Sequence, residues 1–315
     1  MKDIIPPIPI QDIENELKKA TLLRKTNYGG NLVYLTTNNE TPILLREIGR
    51  LRELTFRNAG GGTGKDCDLD KFDVSDTPYQ QLFVWNPEDK EIIGGYRFYK
   101  CNNETDECLD LTRLATSNLF KFSDKFVHRY LPHLMELGRS FVVPSYQTRD
   151  GERKSLYALD NLWDGLGAFV INNPDIRFFF GKVTMYQHFN RDARDLILFF
   201  LNKHFGDHEG LLIPFNPLQL NLNSEKLESI FIGKSKKEDY KILSQEVRAL
   251  GENIPPLINA YMNLSPTMKT FGTVINEGFG GVEETGIMIT LKDMYVSKIN
   301  RHLASYREDY ELPSF

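Results

Sequence analysis

Met135-Glu136-Leu137-Gly138-Arg139-Ser140-Phe141-Val142-Val143 combines the apolar content of a strand with two opposite charges three positions apart. Alternation with period two would send Glu136 and Arg139 to opposite faces. A bulge near Gly138 would bring both to one side. Upstream, residues 81–85 and 92–99 read as two strands joined by the turn Asn86-Pro87-Glu88-Asp89. In the second, Ile93, Gly95, Arg97 and Tyr99 share a face. An arginine in mid-strand beside two glycines marks a close approach by a ligand or by another backbone.

Outward from this centre, residues 11–25 read as a helix and 31–37 as a strand. Residues 42–57 form a helix opened by Thr41 and Pro42. Residues 120–133 are helix-like, 144–151 a loop, 155–172 a helix, 177–185 an aromatic-rich strand and 191–204 a helix. After an irregular stretch, 206–223, a helix covers 238–250, and 270–276 with 285–290 make a last strand pair around a glycine-rich turn. Strands alternate with helices, and hairpins come early and late. The fold class is therefore α/β (α+β): one domain with a mixed, largely antiparallel sheet flanked by helices, rather than a doubly wound parallel one.

On a wheel of ~100° per residue, Leu44, Leu45, Ile48, Leu51, Thr55 and Phe56 lie on one side of the 42–57 helix. Arg46, Arg50, Glu53 and Arg57 lie on the other. Arg52 alone among the charges falls within the apolar stripe, and a guanidinium facing a core must find anionic or carbonyl partners. The acids Asp66, Asp68, Asp70 and Asp73 follow within eight positions. They repel one another unless solvated or paired with cations. Asp70 and Asp73 are placed to pair with Arg52, or to hold the ammonium of an amino acid. Between helix and acids runs Gly60-Gly61-Gly62-Thr63-Gly64-Lys65. It is not a phosphate-binding loop, because Ala59 and Asp66 occupy key positions and a helix precedes it. A flexible lid or substrate-contacting loop is the expectation.

The net charge of −5 argues against a general affinity for nucleic acid. Cys67, Cys101 and Cys108 form no C-x-x-C pair, so neither a disulfide framework nor a zinc site is expected. Pro6, Pro7 and Pro9 stand where a signal peptide would have its apolar region. No apolar run approaches the ~20 residues of a spanning helix. A cytoplasmic protein is expected, with the inner membrane surface as a candidate contact through Phe199-Phe200 and residues 214–220.

In order, Arg52-x-x-x-Phe56, Asp70-x-x-Asp73, Gly95-x-Arg97 and Glu136-x-x-Arg139 resemble the acyl-homoserine-lactone synthases of the GNAT superfamily. The pieces LRELTF, DLDKFD, QQLFVW, IIGGYRFY and ELGRSFVVPSYQ resemble more closely the hemolysin-like GNAT N-acyltransferases of ornithine and glycine lipid biosynthesis. Coverage is good over residues 30–200 and looser over 250–300. The resemblance implies an N-terminal helical segment (1–30), a GNAT-like core (31–204), and a helical insertion with C-terminal strands (205–315). It implies transfer of a fatty, or 3-hydroxy fatty, acyl group to the amine of glycine or ornithine. The donor is the acyl-phosphopantetheine of acyl carrier protein, or acyl-CoA, with no tightly bound cofactor and no metal.

No G-x-S-x-G elbow is present, so direct attack by the amine is the simpler scheme. Glu136 is the candidate base, with Arg139 and Ser140 beside it. Backbone amides from Ser140 to Val142 are the oxyanion donors that the resemblance suggests. Arg52, Phe56, Asp70, Asp73, Arg97 and Arg139 shape the amino-acid pocket. The loop Tyr146-Gln147-Thr148-Arg149-Asp150-Gly151-Glu152-Arg153 lacks the glycines of a pyrophosphate cradle. Arg149, Arg153 and Lys154 would meet the acidic surface of a carrier protein. Phe178, Phe179, Phe180, Met185 and Phe189 are candidates to line an acyl tunnel. The alternatives are an acyl-homoserine-lactone or N-acyl amino acid signal synthase, and a non-catalytic GNAT fold that binds a carrier protein or lipid.

Overall fold

The computed structural model describes residues 1–101, 110–147 and 157–307. In chain order its main elements begin with α1 (Ile10–Leu17), β1 (Thr21–Lys25), β2 (Leu32–Thr36), α2 (Pro42–Asn58), α3 (Lys71–Val74), β3 (Gln80–Asn86) and β4 (Glu91–Lys100). Next come β5 (Phe120–Phe122), α4 (Asp124–Arg129), β6 (Leu134–Val142), α5 (Ala158–Asn172), β7 (Phe178–Met185), α6 (Arg191–Phe205) and β8 (Leu212–Pro214). The C-terminal part adds α7 (Ser224–Ile230), α8 (Lys236–Ala249), α9 (Pro256–Met262), β9 (Lys269–Asn276) and β10 (Val282–Thr290).

Among the described residues, eight strands form one sheet in the order β1-β2-β3-β4-β6-β7-β10-β9, and β5 pairs with β8 beside it. Every neighbouring pair in the large sheet is antiparallel except β6 and β7. One face carries α5 and α6. There Phe98 meets Phe169, Trp163 meets Phe179, and Glu283 meets Arg194. The other face receives α2 and the 110–133 segment, with an aromatic cluster of Phe120, Phe126, Phe180 and Phe271.

The expected sheet and most of its strands are present; α3, β8, α7 and α9 fall where no element was expected, and two expected helices differ. The helix expected over 11–25 stops at Leu17, and residues 21–25 become the edge strand β1, because pairing with β2 supplies hydrogen bonds that a further helical turn would only replace. The helix expected over 120–133 is split into β5, α4 and a short 3-10 turn. Ser123 caps α4 through the Phe126 amide, and Pro132 shapes the turn that follows.

The β6–β7 pair governs the rest. It is hydrogen-bonded only from Leu134↔Phe178 to Leu137↔Gly181. Beyond that point β6 runs on to Val142 beside β4, and β7 runs on to Met185 beside β10. The two strands diverge and leave a V-shaped gap in mid-sheet. A bulge accompanies the divergence: Gly95 pairs with Phe141 and Arg97 with Gly138, so Arg139 and Ser140 together oppose Tyr96 alone. The glycines of β4 admit a neighbouring backbone here, not a ligand. A Cβ on Gly95 would lie 2.7 Å from the Leu82 carbonyl oxygen.

Gly165 in mid-α5 permits the helix to lie on the sheet, since a Cβ there would sit 2.7 Å from Val33 Cγ1 and 3.0 Å from Leu82 Cδ2. Gly165→Ala gains at most about 1 kcal/mol of helix propensity against about 1–3 kcal/mol of overpacking. The expected outcome is a lower urea midpoint with an unchanged m-value.

Candidate active site

At the top of α2, Arg52 is fully buried, as its place in the apolar stripe requires. Its Nε donates to Asp68 Oδ2 at 3.0 Å, and its Nη1 and Nη2 donate to the two oxygens of Asp73 at 2.9 and 3.3 Å. Arg97, from β4, donates through Nη1 to Asp70 Oδ1 at 2.8 Å and to Asp73 Oδ2 at 2.9 Å. Arg139, from the β6 bulge, pairs through Nε with Asp68 at 2.9 Å and through Nη2 with Asp70 at 3.5 Å. Three guanidiniums thus interlock with three carboxylates along one wall of the gap. Asp68, an acid to which the sequence reading gave no role, joins Arg52 to Arg139. Its spacing within Asp68-x-Asp70-x-x-Asp73 was the only signal for it.

Local structure sets these acids. Asp70 caps α3 by accepting from the Phe72 amide, while Asp73 accepts from the Asp70 amide to complete a capping box. Burial by itself would raise the pKa of Asp73. Arg52 and Arg97 overcome it and hold the group well below the ordinary carboxylate range. Asp68 is buried too, and Arg52, Arg139 and Arg97 bring it below its ordinary value.

Arg139 adopts φ +49°, which is rare for a residue with a side chain. This left-handed turn belongs to the bulge and brings Arg139 onto the side of Glu136, as the sequence led one to expect. The guanidinium then lies over the ring of Phe279, 4.1 Å from its centroid, and Phe279 packs edge-on against Phe56. Phe56 therefore supports the site from below and lies outside the ion network.

Glu136 is buried one layer behind the network. Tyr79 Oη and the Ala115 amide donate to Oε2, and the Thr116 amide and hydroxyl donate to Oε1 at 3.0 and 2.6 Å. The Tyr79 ring in turn faces Arg97. Four donors fill the carboxylate's lone pairs. That suits an anchor for the 113–116 segment, not a base that must take up and release a proton, so the base role expected of Glu136 is not the one its surroundings favour.

Ser140 lies on the free half of β6, and its hydroxyl neighbours Tyr96 on the α5 face. Tyr96 Oη is buried without a well-formed hydrogen bond, and the Tyr261 hydroxyl is also close to it. The Val143 amide donates to the Ile93 carbonyl on the β4 side. Alternation then turns the Val142 amide and carbonyl to the open edge, where Gln147 Nε2 reaches the Val142 carbonyl.

Three expectations change. Glu53, assigned to the polar side of α2, is fully buried. It accepts from the Thr63 amide and hydroxyl at 3.0 and 2.7 Å, from the Gly64 amide at 2.8 Å and from Arg57 Nε at 2.7 Å. The glycine loop is consequently pinned in place: Gly60, Gly62 and Gly64 take positive φ angles around this carboxylate, and Gly61 packs on Tyr186 and Val282. The aromatic run does not line one tunnel, because period two sends Phe179 to Trp163 and Phe180 to Phe126, on opposite faces. At the apex of the gap, Leu137, Phe179, Gly181, Val183 and Tyr261 enclose a narrow apolar crevice. Arg149, Arg153 and Lys154 lie outside the described residues.

Residues 51–156 match the family described as "Acetyltransferase (GNAT) domain". The protein is an acyltransferase of the GNAT class. Over 97% of its length it is 51% identical to a glycine N(alpha)-acyltransferase of Phocaeicola vulgatus, covering 94% of that protein. It is 50% identical to one of Bacteroides thetaiotaomicron over 98% of this chain and 92% of that protein. It belongs to the family of these N-acyltransferases. Among solved structures, the acyl-homoserine-lactone synthase LasI aligns over 49% of this chain and 72% of its own, at 16% identity and a TM-score of 0.32.

Two outcomes follow. Asp68 and Asp73 have depressed folded-state pKa values, so the stability they contribute is complete above the unfolded value of about 3.9 and is lost as pH falls through the folded values. Asp73→Asn should lower unfolding stability at pH 7 by about 3–5 kcal/mol and flatten the acid limb of stability against pH in urea titrations. Glu136→Gln should destabilise by about 1–3 kcal/mol, because the amide keeps one accepting oxygen and turns its NH2 against the donors that met the other. Turnover of the folded variant should fall less than tenfold. A far larger loss at unchanged stability would return the base role to Glu136.

Proposed function

We propose that this protein transfers a fatty acyl group, including 3-hydroxy fatty acyl, from the phosphopantetheine thioester of an acyl carrier protein to the amine of glycine, as a step in aminolipid biosynthesis. The observation that carries this reading is the divergence of β6 from β7 after Leu137 and Gly181, next to the arginine–aspartate network. A gap between strands admits a narrow pantetheine arm edge-on, where it can take the hydrogen bonds that the two strands no longer give each other. The name borne by the relatives supports glycine as the acceptor over ornithine.

In this scheme the Val142 amide, on the open edge of β6, donates to the thioester oxygen as negative charge develops there. The hydroxyls of Ser140, Tyr96 and Tyr261 border the same edge and receive the leaving sulfur. Arg52, Asp68, Asp70, Asp73, Arg97 and Arg139 form a rigid wall with balanced charge, which suits a zwitterionic amino acid better than a simple anion. Glu136 holds this wall from behind through Tyr79. Arg149, Arg153 and Lys154 follow β6 in sequence, and their charge suits the acidic surface of a carrier protein.

Release of the acylated product onto a membrane is also part of the proposal. Phe200 is buried and Phe199 stacks on Phe231, so neither serves that contact. Phe215 and Leu220 of the 214–220 stretch are exposed and remain the candidates, with exposed Ile213 next to them. No described helix is long and apolar enough to cross a membrane.

The test is to incubate the purified protein with acyl carrier protein loaded with fatty and 3-hydroxy fatty chains, or with the same acyl-CoA, and with glycine, ornithine or S-adenosylmethionine. Mass spectrometry should find N-acylglycine formed at least tenfold faster from carrier protein than from CoA. N-acylornithine as the main product would move the acceptor, acyl-homoserine lactone would make the protein a signal synthase, and a CoA preference would remove the carrier protein.

A further inference from the structure

The mechanism needs a base to free the glycine amine, and the fully buried acids of the network, Asp68 and Asp73, are held between arginines. Asp73 accepts from both terminal nitrogens of Arg52, from Arg97, from Gln81 and from the Asp70 amide. Glu53 and Glu136 are each filled by four donors. Across the gap, one carboxylate differs. Glu284 of β10 is 2% exposed and receives Lys182 Nζ and, at 2.7 Å, Asn276 Nδ2, both on Oε2. No described donor reaches Oε1. Both described donors sit on Oε2, so Oε1 has lone pairs to spare.

Position adds to this. Lys182 follows Gly181, the last β7 residue paired with β6, so it is the first β7 residue on the freed flank. Its register, Lys182↔Gly286 and Thr184↔Glu284, puts the Lys182 and Glu284 side chains on the face shared with Phe180 and, across the parallel pair, with Glu136. This is the face of the arginine network. Asn276 begins the turn that carries Phe279, the ring on which Arg139 lies. The Lys182–Glu284 pair thus stands at the foot of the same turn that spans the gap to Arg139.

We propose that Lys182 and Glu284 are the acceptor site of the acyl transfer, with Lys182 binding the carboxylate of glycine and Glu284 Oε1 taking the proton of its ammonium. This rests on the N-acylation reading above. Proton uptake frees the nitrogen lone pair, which attacks the thioester carbon. The C–N bond forms, the C–S bond breaks, and the electron pair leaves with sulfur. Of the two protons that the nitrogen sheds, one ends on the thiol and the other passes through Glu284 to solvent.

The test compares wild type, Glu284→Gln, Lys182→Met and Lys182→Arg in the full-length protein. Two acceptors are used: glycine, and aminoacetonitrile, a weakly basic amine that is neutral at assay pH and has no carboxylate. Glu284→Gln should lower kcat for glycine by roughly 10²–10⁴-fold while leaving the donor KM unchanged, and should cost far less with aminoacetonitrile. Lys182→Met should raise the glycine KM without changing the aminoacetonitrile rate, and Lys182→Arg should restore part of the loss. Equal losses with both amines would mean a structural role, and glycine turnover like wild type would remove Glu284 as base; either result overturns the proposal. Calorimetric binding of glycine is read in parallel. If wild type acylates no amine, the acyl-transfer reading fails, while glycine binding lost in Lys182→Met would still support the acceptor site and binding retained there would overturn it.

Discussion

Three guanidiniums brought together away from water repel one another and lose their hydration, and Arg52, Arg97 and Arg139 are held together only because Asp68, Asp70 and Asp73 are threaded between them. Each aspartate joins two arginines, so no member can be withdrawn without leaving a buried charge unmatched. This joint ties α2, the capping box of α3, β4 and the β6 bulge into one rigid unit. The left-handed backbone at Arg139 is retained because the cluster holds its side chain from one side and Phe279 from the other.

That rigidity has a purpose at the gap. A sheet whose middle pair separates after four residue pairs exposes backbone groups on both strands. It needs walls that do not collapse inward. The ion cluster forms one wall, and the β7–β10 pair with Lys182 and Glu284 forms the other. The glycine loop, drawn over Glu53, packs against the β9–β10 turn and closes the end between them. The acyltransferase class rests on the GNAT-domain match and on the relatives that share half of the residues over nearly the whole chain.

Some of this could be read before any coordinates. Arg52 was visible because a charge in an apolar helical stripe breaks the pattern, and the structure pairs it with two acids, one of them Asp73 as anticipated. The bulge was visible because Glu136 and Arg139 could share a face only if the strand alternation failed near Gly138. Glu53 was not visible. A helical wheel knows only the helix, and it put Glu53 with the solvent-facing charges, whereas a loop ten residues further on folds back over it. Glu136 was seen as important, but the donors that fill its carboxylate were not legible, because Tyr79, Ala115 and Thr116 are 20 to 57 positions away.

The sequence alone determined the type and order of most strands and helices, the mixed sheet, and which charges could not be solvated. Those properties arise from short-range periodicity and from the cost of burying an ion, both carried within a few residues. Tertiary structure decided which carboxylates are saturated and which keeps a free oxygen, where β6 leaves β7, and whether residues 21–25 coil or pair. Each of these depends on a partner far away in the chain, and no local pattern states which partner will arrive.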